Sequence, residues 1–292
     1  MIRWADVIHL TAVYSPSTIP TLAICKGLNK PVVWSPRGAL QRWKSTSRVQ
    51  MKRAWDSICN SLCDQNRVRL HATSENELTA SALRISRAST VIIPNGVQKP
   101  GRTKRPSKEK GESLQLLYLG RLNRIKGIEN LLMAMQKVDE SVKLEICGAG
   151  GNGYSGHLKD LAEKLQITAR VQFHGPVSGE EKEKCFVDSD VFVMPSFSES
   201  FGLSAAEALS HGVPVIVSKG TPWSEVEKIG CGLWVENDSN SLADAIGRIR
   251  RMPLDEMGKR GREWMSREFS YDVIAEKMLK VYEGLVEHQD ER

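Results

Sequence analysis

Short apolar runs alternate with stretches whose apolar residues recur every three or four positions. After residue 113 the alternation is regular. Runs at 114–120, 143–148, 171–175, 191–196, 214–218 and 232–236 predict buried strands. Helical spacing at 128–138, 158–167, 180–189, 204–212 and 241–252 predicts the helices between them. Two more helices are predicted over 255–269 and 273–288. Strands alternating with helices of about ten residues imply βαβ units, hence a parallel sheet covered on both faces.

The first hundred residues repeat the pattern on a smaller scale. Strands are expected at 5–10, 31–35, 68–74 and 90–96, with helices over TIPTLAICKGL and near ENELTASALRIS. Between the halves, QKPGRTKRPSKEKGES (98–113) is rich in Pro, Gly, Ser and charge. Such a segment is a linker. The expected organisation is a first Rossmann-like domain over 1–97, a linker over 98–113 and a second domain over 114–270. A C-terminal helix over 271–292 would cross back to the first domain.

Composition adds bounds. The chain has 292 residues, 40% hydrophobic and 26% charged, and no run of the roughly 18 apolar residues that cross a membrane. MIRWADVIHL lacks the layout of a signal peptide. The six cysteines are scattered without CxxC spacing, so reduced thiols, a cytoplasmic setting and no metal site are expected.

The net charge of +6 is uneven. Residues 1–110 hold 19 Lys/Arg and 6 Asp/Glu, whereas 111–292 hold 22 and 29. RGALQRWKSTSRVQMKR (37–53) carries six cations and no acid. The plainer reading is a solvated helix face. The functional one is a surface for anionic headgroups or an anionic substrate, with Trp34, Trp43 and Trp55 as interfacial anchors across 34–55. That would place the protein peripherally on the cytoplasmic face of a membrane. No nucleic-acid recognition motif accompanies the charge.

Two motifs carry chemistry. In YLGRLNRIKGIENLL (118–132) a strand ends at Gly120, Arg121 and Lys126 follow, and Gly127 opens a helix. Ligands of open α/β sheets bind at the carboxyl ends of strands, where a planar guanidinium and an ammonium suit a diphosphate. Ordinary surface cations are the plainer account. In VFVMPSFSESFGLSAAEALSHGVPVIVS (191–218), Glu199 follows a strand, Gly202 opens a helix and Glu207 lies inside it. A helix start holds phosphate, and a carboxylate can accept two ribose hydroxyls. Glu199 would lie nearer a reacting sugar. Helix capping by acids explains Glu199 but not Glu207. CGAGGNG (147–153) has dinucleotide-site spacing, yet the next strand ends in His174-Gly175 instead of an acid, so no NAD site is expected.

Together E-x-F-G-L-x-x-x-E-A-L-x-x-G-x-P-V-I, G-R-L-x-x-x-K-G, ATSENE (72–77), IPNGV (93–97) and PRGAL (36–40) resemble the motifs of retaining glycosyltransferases of the GT-B fold, family 4. The resemblance implies two Rossmann-like domains, the first shortened by roughly 80 residues relative to typical members. It implies that Arg121 and Lys126 bind the diphosphate of a UDP- or GDP-linked sugar, and that Glu199 touches the transferred sugar. Gly120 and the amides of Phe201, Gly202, Leu203 and Ser204 would hold phosphate. Glu207 would hold the ribose, and Gly148 and Val177 would flank the nucleoside. No metal is implied. His9 and Arg37 become candidates on the acceptor side. The implied reaction moves a sugar, with retention, to a lipid-linked or polysaccharide acceptor in cell-envelope glycan synthesis. Without a second carboxylate to form a covalent intermediate, same-face attack is expected, the leaving phosphate taking the acceptor's proton. The alternatives are a nucleotide-sugar-binding protein without turnover, such as a truncated inactive homologue, and a nucleotide-sugar epimerase.

Overall fold

The computed structural model describes residues 2–41, 48–103, 113–151 and 153–290. They form two compact units: 1–96 together with 271–292, and 97–270. Residues 98–103, expected as linker, and Val97 are part of the second unit. Val97 N–H donates to the Phe269 carbonyl at 2.8 Å, and Gly101 N–H to the Glu183 carboxylate at 3.2 Å.

The first unit holds four parallel strands, β1 (Ile8–Thr11), β2 (Val32–Ser35), β3 (Val68–Ala72) and β4 (Ser89–Ile92), paired in sequence order. Helices α1 (Thr18–Gly27), α2 (Val49–Leu62) and α3 (Glu75–Ala82) connect them. Helix α3 starts at Ser74, an N-cap residue. Ser74 Oγ accepts from Glu77 N–H at 3.3 Å. The fully buried Glu77 carboxylate in turn accepts from Thr73 N–H at 2.8 Å, from Thr73 Oγ at 2.6 Å, and from the Gly38 amide. Two stretches distant in sequence, ATSENE and PRGAL, are thus tied by one carboxylate.

The basic stretch 37–53 is not one solvated helix face. Leu40 is buried, residues 42–47 lie outside the described residues, and α2 begins only at Val49. Trp34 and Trp55 are tied into the first unit. Trp34 is fully buried on β2 and donates to the Ala12 carbonyl at 2.8 Å, while half-buried Trp55 donates to the Val13 carbonyl at 2.9 Å. Alternation on a strand buried on both faces puts a large apolar ring inside. Trp43 lies outside the described residues.

The second unit is a six-stranded parallel sheet. Its strands are β5 (Gln115–Leu119), β6 (Lys143–Cys147), β7 (Val171–His174), β8 (Val191–Met194), β9 (Val215–Ser218) and β10 (Gly232–Val235). The spatial order is β10-β9-β8-β5-β6-β7. Its helices are α4 (Ile128–Met135), α5 (Tyr154–Lys164), α6 (Gly179–Asp188), α7 (Leu203–Ser210), α8 (Glu225–Ile229), α9 (Ser239–Ile249) and α10 (Leu254–Glu268). Period two divides the strands cleanly. Leu116, Tyr118, Leu144, Ile146, Val191 and Val193 join a core with α4, α5 and α9. Leu117, Cys147, Phe192, Met194, Val215 and Val217 face α7 and α10. The last helix, α11 (Tyr271–Asp290), packs with the first unit, where Val281 and Leu285 bury against Val33 and Ile93. No helix among the described residues is long and apolar enough to cross a membrane.

The helix spacing reading leaves out α2 and the five-residue α8. The first lies partly in the charged run, and the second is too short to show a period.

Candidate active site

The direction in which strands are added reverses between β5 and β8. Strands β6 and β7 build outward on one side of β5, and β8 to β10 on the other. Diverging connections leave a crevice at such a switch point, at the carboxyl ends of the strands. A cavity of about 210 Å³ occupies that place. Its lining includes Gly120, Arg121, Lys126, Ser196, Glu199, Gly202, Leu203 and Ser204.

Each side chain is set by local backbone chemistry. Asn123 caps a short turn over Arg124–Lys126, accepting from Ile125 N–H at 3.2 Å. The turn stops at Gly127, whose φ of +62° is left-handed. A Cβ there would meet the Pro195 carbonyl at 2.1 Å and Asn237 Nδ2 at 2.6 Å, so glycine is required by the close approach of two loops. Phe197 N–H completes the seam by donating to the Ile125 carbonyl at 2.8 Å.

This seam brings the two motifs into contact. Lys126 Nζ donates to Glu199 Oε1 at 2.5 Å, and Ser196 Oγ donates to the same oxygen at 2.8 Å. The side chains of the ion pair are 16% and 13% exposed, so it is shielded but open to a ligand. The Glu199 charge and burial together push the nearby Tyr118 phenol well above its usual range, burial being the larger cause. Tyr118 stays a neutral donor, giving its proton to the Arg121 carbonyl at 3.0 Å.

On the facing wall, Gly202 (φ +85°) starts α7. A Cβ there would lie 2.9 Å from Met194 Sδ and 3.0 Å from Trp223 Nε1. The first N–H groups of α7 have no intrahelical partners, and Leu203 and Ser204 line the cavity. The cavity thus joins two cations, a helix start and one carboxylate.

Four residues predicted for the site are not among those lining this cavity. Phe201 is buried in an aromatic cluster with Trp223 and Phe269, its carbonyl accepting from Trp223 Nε1–H at 2.6 Å. Gly148 packs against the Gly120 carbonyl, which a Cβ would approach to 1.9 Å, so its lack of a side chain serves backbone packing. Val177 packs on the α7 side of the core. Glu207 lies on α7 outside the cavity lining and accepts from Lys182 Nζ, on α6, at 2.6 Å.

The sequence reading missed Ser196, Lys182 and Asn237. Ser196 adjoins Glu199 and was accessible in principle. The other two contact Glu207 and the Pro195 carbonyl only through packing of α6 and of the loop after β10.

In the first unit, His9 is one link of a polar chain. Its Nδ1 is 2.5 Å from Tyr282 Oη, and its Nε2 is 2.7 Å from Ser35 Oγ. Ser35 Oγ is 2.7 Å from His71 Nδ1, and His71 Nε2 is 2.7 Å from the Ile93 carbonyl. A carbonyl only accepts, which fixes the direction for two neutral rings. Tyr282 donates to His9, His9 to Ser35, Ser35 to His71, and His71 to Ile93. Burial, then the neighbouring His71 and Arg37, hold His9 below the usual imidazole range. Arg37 donates to Asn95. Ser35 and His71 were not read from the sequence.

The six cysteines are all free. They are not all scattered in space, as their spacing had suggested. Cys147 Sγ and Cys185 Sγ lie 3.7 Å apart beside Glu145.

The doubly wound sheet, with two cations and a helix start lining a cavity at its switch point, is an α/β architecture. Residues 101–264 match the model of glycosyl transferases group 1, and the chain belongs to that family. A D-inositol 3-phosphate glycosyltransferase of Corynebacterium jeikeium is 34% identical over 194 residues, covering 60% of this chain and 45% of that protein. The chain thus spans less than half the length of such curated relatives. Sucrose-phosphate synthase of Thermosynechococcus elongatus superposes with a TM-score of 0.80 at 25% identity, over 96% of this chain and 73% of that one. Anabaena HepE, solved in complex with UDP and glucose, gives 0.79 at 18% identity, over 97% and 79%. Both likenesses are of the GT-B glycosyltransferase fold.

Proposed function

We propose that this chain binds a nucleotide-sugar at the switch-point cavity and transfers the sugar, with retention, to an acceptor held by the first unit. The observation that carries the reading is the Lys126–Glu199 pair facing the start of α7 across one cavity. At about 210 Å³ the cavity is smaller than the roughly 300–1,000 Å³ of whole-ligand pockets, so it suits the diphosphate-sugar end of a donor.

Arg121, Lys126 and the amides at Gly202 to Ser204 stabilise charge building on the leaving diphosphate. Arrival of the phosphates draws Lys126 toward them, leaving Glu199 to accept hydroxyls of the sugar. Glu199 is the one carboxylate among the described residues lining the cavity, and it is neutralised by Lys126. A double displacement needs a carboxylate poised as nucleophile. Same-face attack, with the leaving phosphate as proton acceptor, therefore fits this lining better. No residue of the lining calls for a metal. Glu207 holds the ribose, exchanging its Lys182 partner for hydroxyls, and Gly148 and Val177 flank the nucleoside. HepE, bound to UDP and glucose, favours a UDP-linked donor over a GDP-linked one.

The excess of Lys/Arg over residues 1–96, 13 against 5 Asp/Glu, favours an anionic, lipid-linked or polysaccharide acceptor in envelope glycan synthesis, with His9 and Arg37 on its side. The test is calorimetric titration with UDP, GDP and ADP, followed by product analysis with the matching sugar donors. Binding with transfer supports the reading. Binding without turnover makes the chain a nucleotide-sugar-binding protein, and donor conversion without acceptor makes it an epimerase.

A further inference from the structure

Strand β6 turns Glu145 and Cys147 to one face of the sheet, because side chains two apart share a face. The neighbouring β7 pairs His174 with Cys147 in parallel register, so His174 joins that face. Helix α6 covers it and brings Cys185. The ligand atoms of Glu145, Cys147 and Cys185 all lie within 4.8 Å of one another, and His174 Nε2 is 3.9 Å from the Glu145 carboxylate. Two polar groups, Glu145 and His174, and a soft sulfur pair thus meet from three elements, the two thiols being 38 residues apart in the chain.

The geometry points to a zinc site with Glu145, Cys147 and Cys185 as ligands, and His174 as the partner that holds the Glu145 carboxylate. Two thiolates on one tetrahedral zinc, with Zn–S about 2.3 Å, sit about 3.8 Å apart. The observed separation of the sulfurs is 3.7 Å. A disulfide needs about 2.05 Å, so the pair must close much further to oxidise than to take up a metal. Mixed thiolate and carboxylate donors in a tetrahedral set favour zinc over magnesium or calcium.

The surrounding charge agrees. Glu145 and Glu181 act on both thiols, and Asp188 on that of Cys185. A divalent cation removes that repulsion. Binding forms two zinc–sulfur bonds and one zinc–oxygen bond, and releases the two thiol protons to solvent. A water fills the fourth position. The metal would clamp α6 to the sheet, and α6 carries Lys182, the partner of Glu207, one turn before Cys185. The site is structural and lies outside the donor cavity.

The experiment uses the reduced, untagged full chain, titrated with Co²⁺ and then with Zn²⁺. The expected result is one equivalent of cobalt with thiolate charge-transfer absorption and a tetrahedral ligand-field band, both displaced by one equivalent of zinc. Cys147→Ser and Cys185→Ser each lose the paired-thiolate spectrum, while Cys59→Ser keeps it. Glu145→Gln keeps the thiolate band with weaker binding, and His174→Ala weakens binding roughly 10- to 100-fold. Circular dichroism melts without metal check that each variant is folded. Zinc should raise the Tm of the wild type and leave the Cys147→Ser/Cys185→Ser variant unchanged. No thiolate–cobalt band in the wild type overturns the proposal. So does a band that survives in the double variant, or a 147–185 disulfide that forms as fast with zinc as without it.

Discussion

Lys126 Nζ and Glu199 Oε1 are 2.5 Å apart, although 73 residues separate them in the chain. One end of the pair comes from the turn after β5 and the other from the loop after β8. The pair therefore reports directly on the crossing of the switch point. Lys126→Met should weaken UDP binding roughly 10- to 100-fold, the worth of one charge-assisted hydrogen bond of about 1.5–3 kcal/mol. Glu199→Gln should leave UDP affinity unchanged or higher and lower the transfer rate roughly 100-fold. Calorimetry and initial rates separate the two. Equal loss of affinity in both variants would contradict the division of roles.

Glycine is required where two loops touch. Gly127→Ala places a Cβ 2.1 Å from the Pro195 carbonyl and Gly202→Ala one 2.9 Å from Met194 Sδ, both at positive φ, and each should cost about 1–3 kcal/mol of stability. Gly247 lies inside α9 with nothing within 4 Å of an added Cβ. Gly247→Ala should instead stabilise by about 0.5–1 kcal/mol. Urea denaturation of the three variants gives the signs, and a stable Gly127→Ala protein would refute the account of the seam.

Glu207 is tied to Lys182 at 2.6 Å. If its role is to hold a ribose, Glu207→Ala should weaken UDP binding about 10-fold, the worth of a hydrogen bond near 1.4 kcal/mol, and leave pyrophosphate binding unchanged. Competition between the two ligands reads the difference. A parallel loss for pyrophosphate would assign Glu207 to folding of α7.

His71 is held below the usual imidazole range, chiefly by burial, with Arg37 adding to it against the opposing hydrogen bond to the Ile93 carbonyl. The unfolded chain titrates near 6.5, so between that value and the lower folded one it binds more protons than the native state. Stability from the neutral ring is complete above about pH 6.5 and is lost as pH falls through the folded value. His71→Gln stays neutral, and its Tm should fall less between pH 7 and pH 5 than the wild type's. Thermal melts at both pH values check this.

Much of the second unit was legible. Every strand from β5 to β10 coincides with an apolar run, because buried parallel strands need continuous apolarity. Gly127 and Gly202 were readable as helix openers, and Glu199, Arg121 and Lys126 as residues at strand ends. Trp34 misled for the same reason that strands were easy: apolarity marks burial and says nothing of which surface is covered. Helix α2 was hidden in a run of cations, where charge masked a modest apolar face.

The sequence alone determined the alternation, the strand ends and the residue types placed there, since these rest on local period and backbone freedom. The tertiary structure alone decided which loops meet. The crossing between β5 and β8 joined Lys126 to Glu199, and α6 packing brought Lys182 to Glu207 and Cys185 to Cys147. Contacts of that kind depend on strand order and register, which no local pattern encodes.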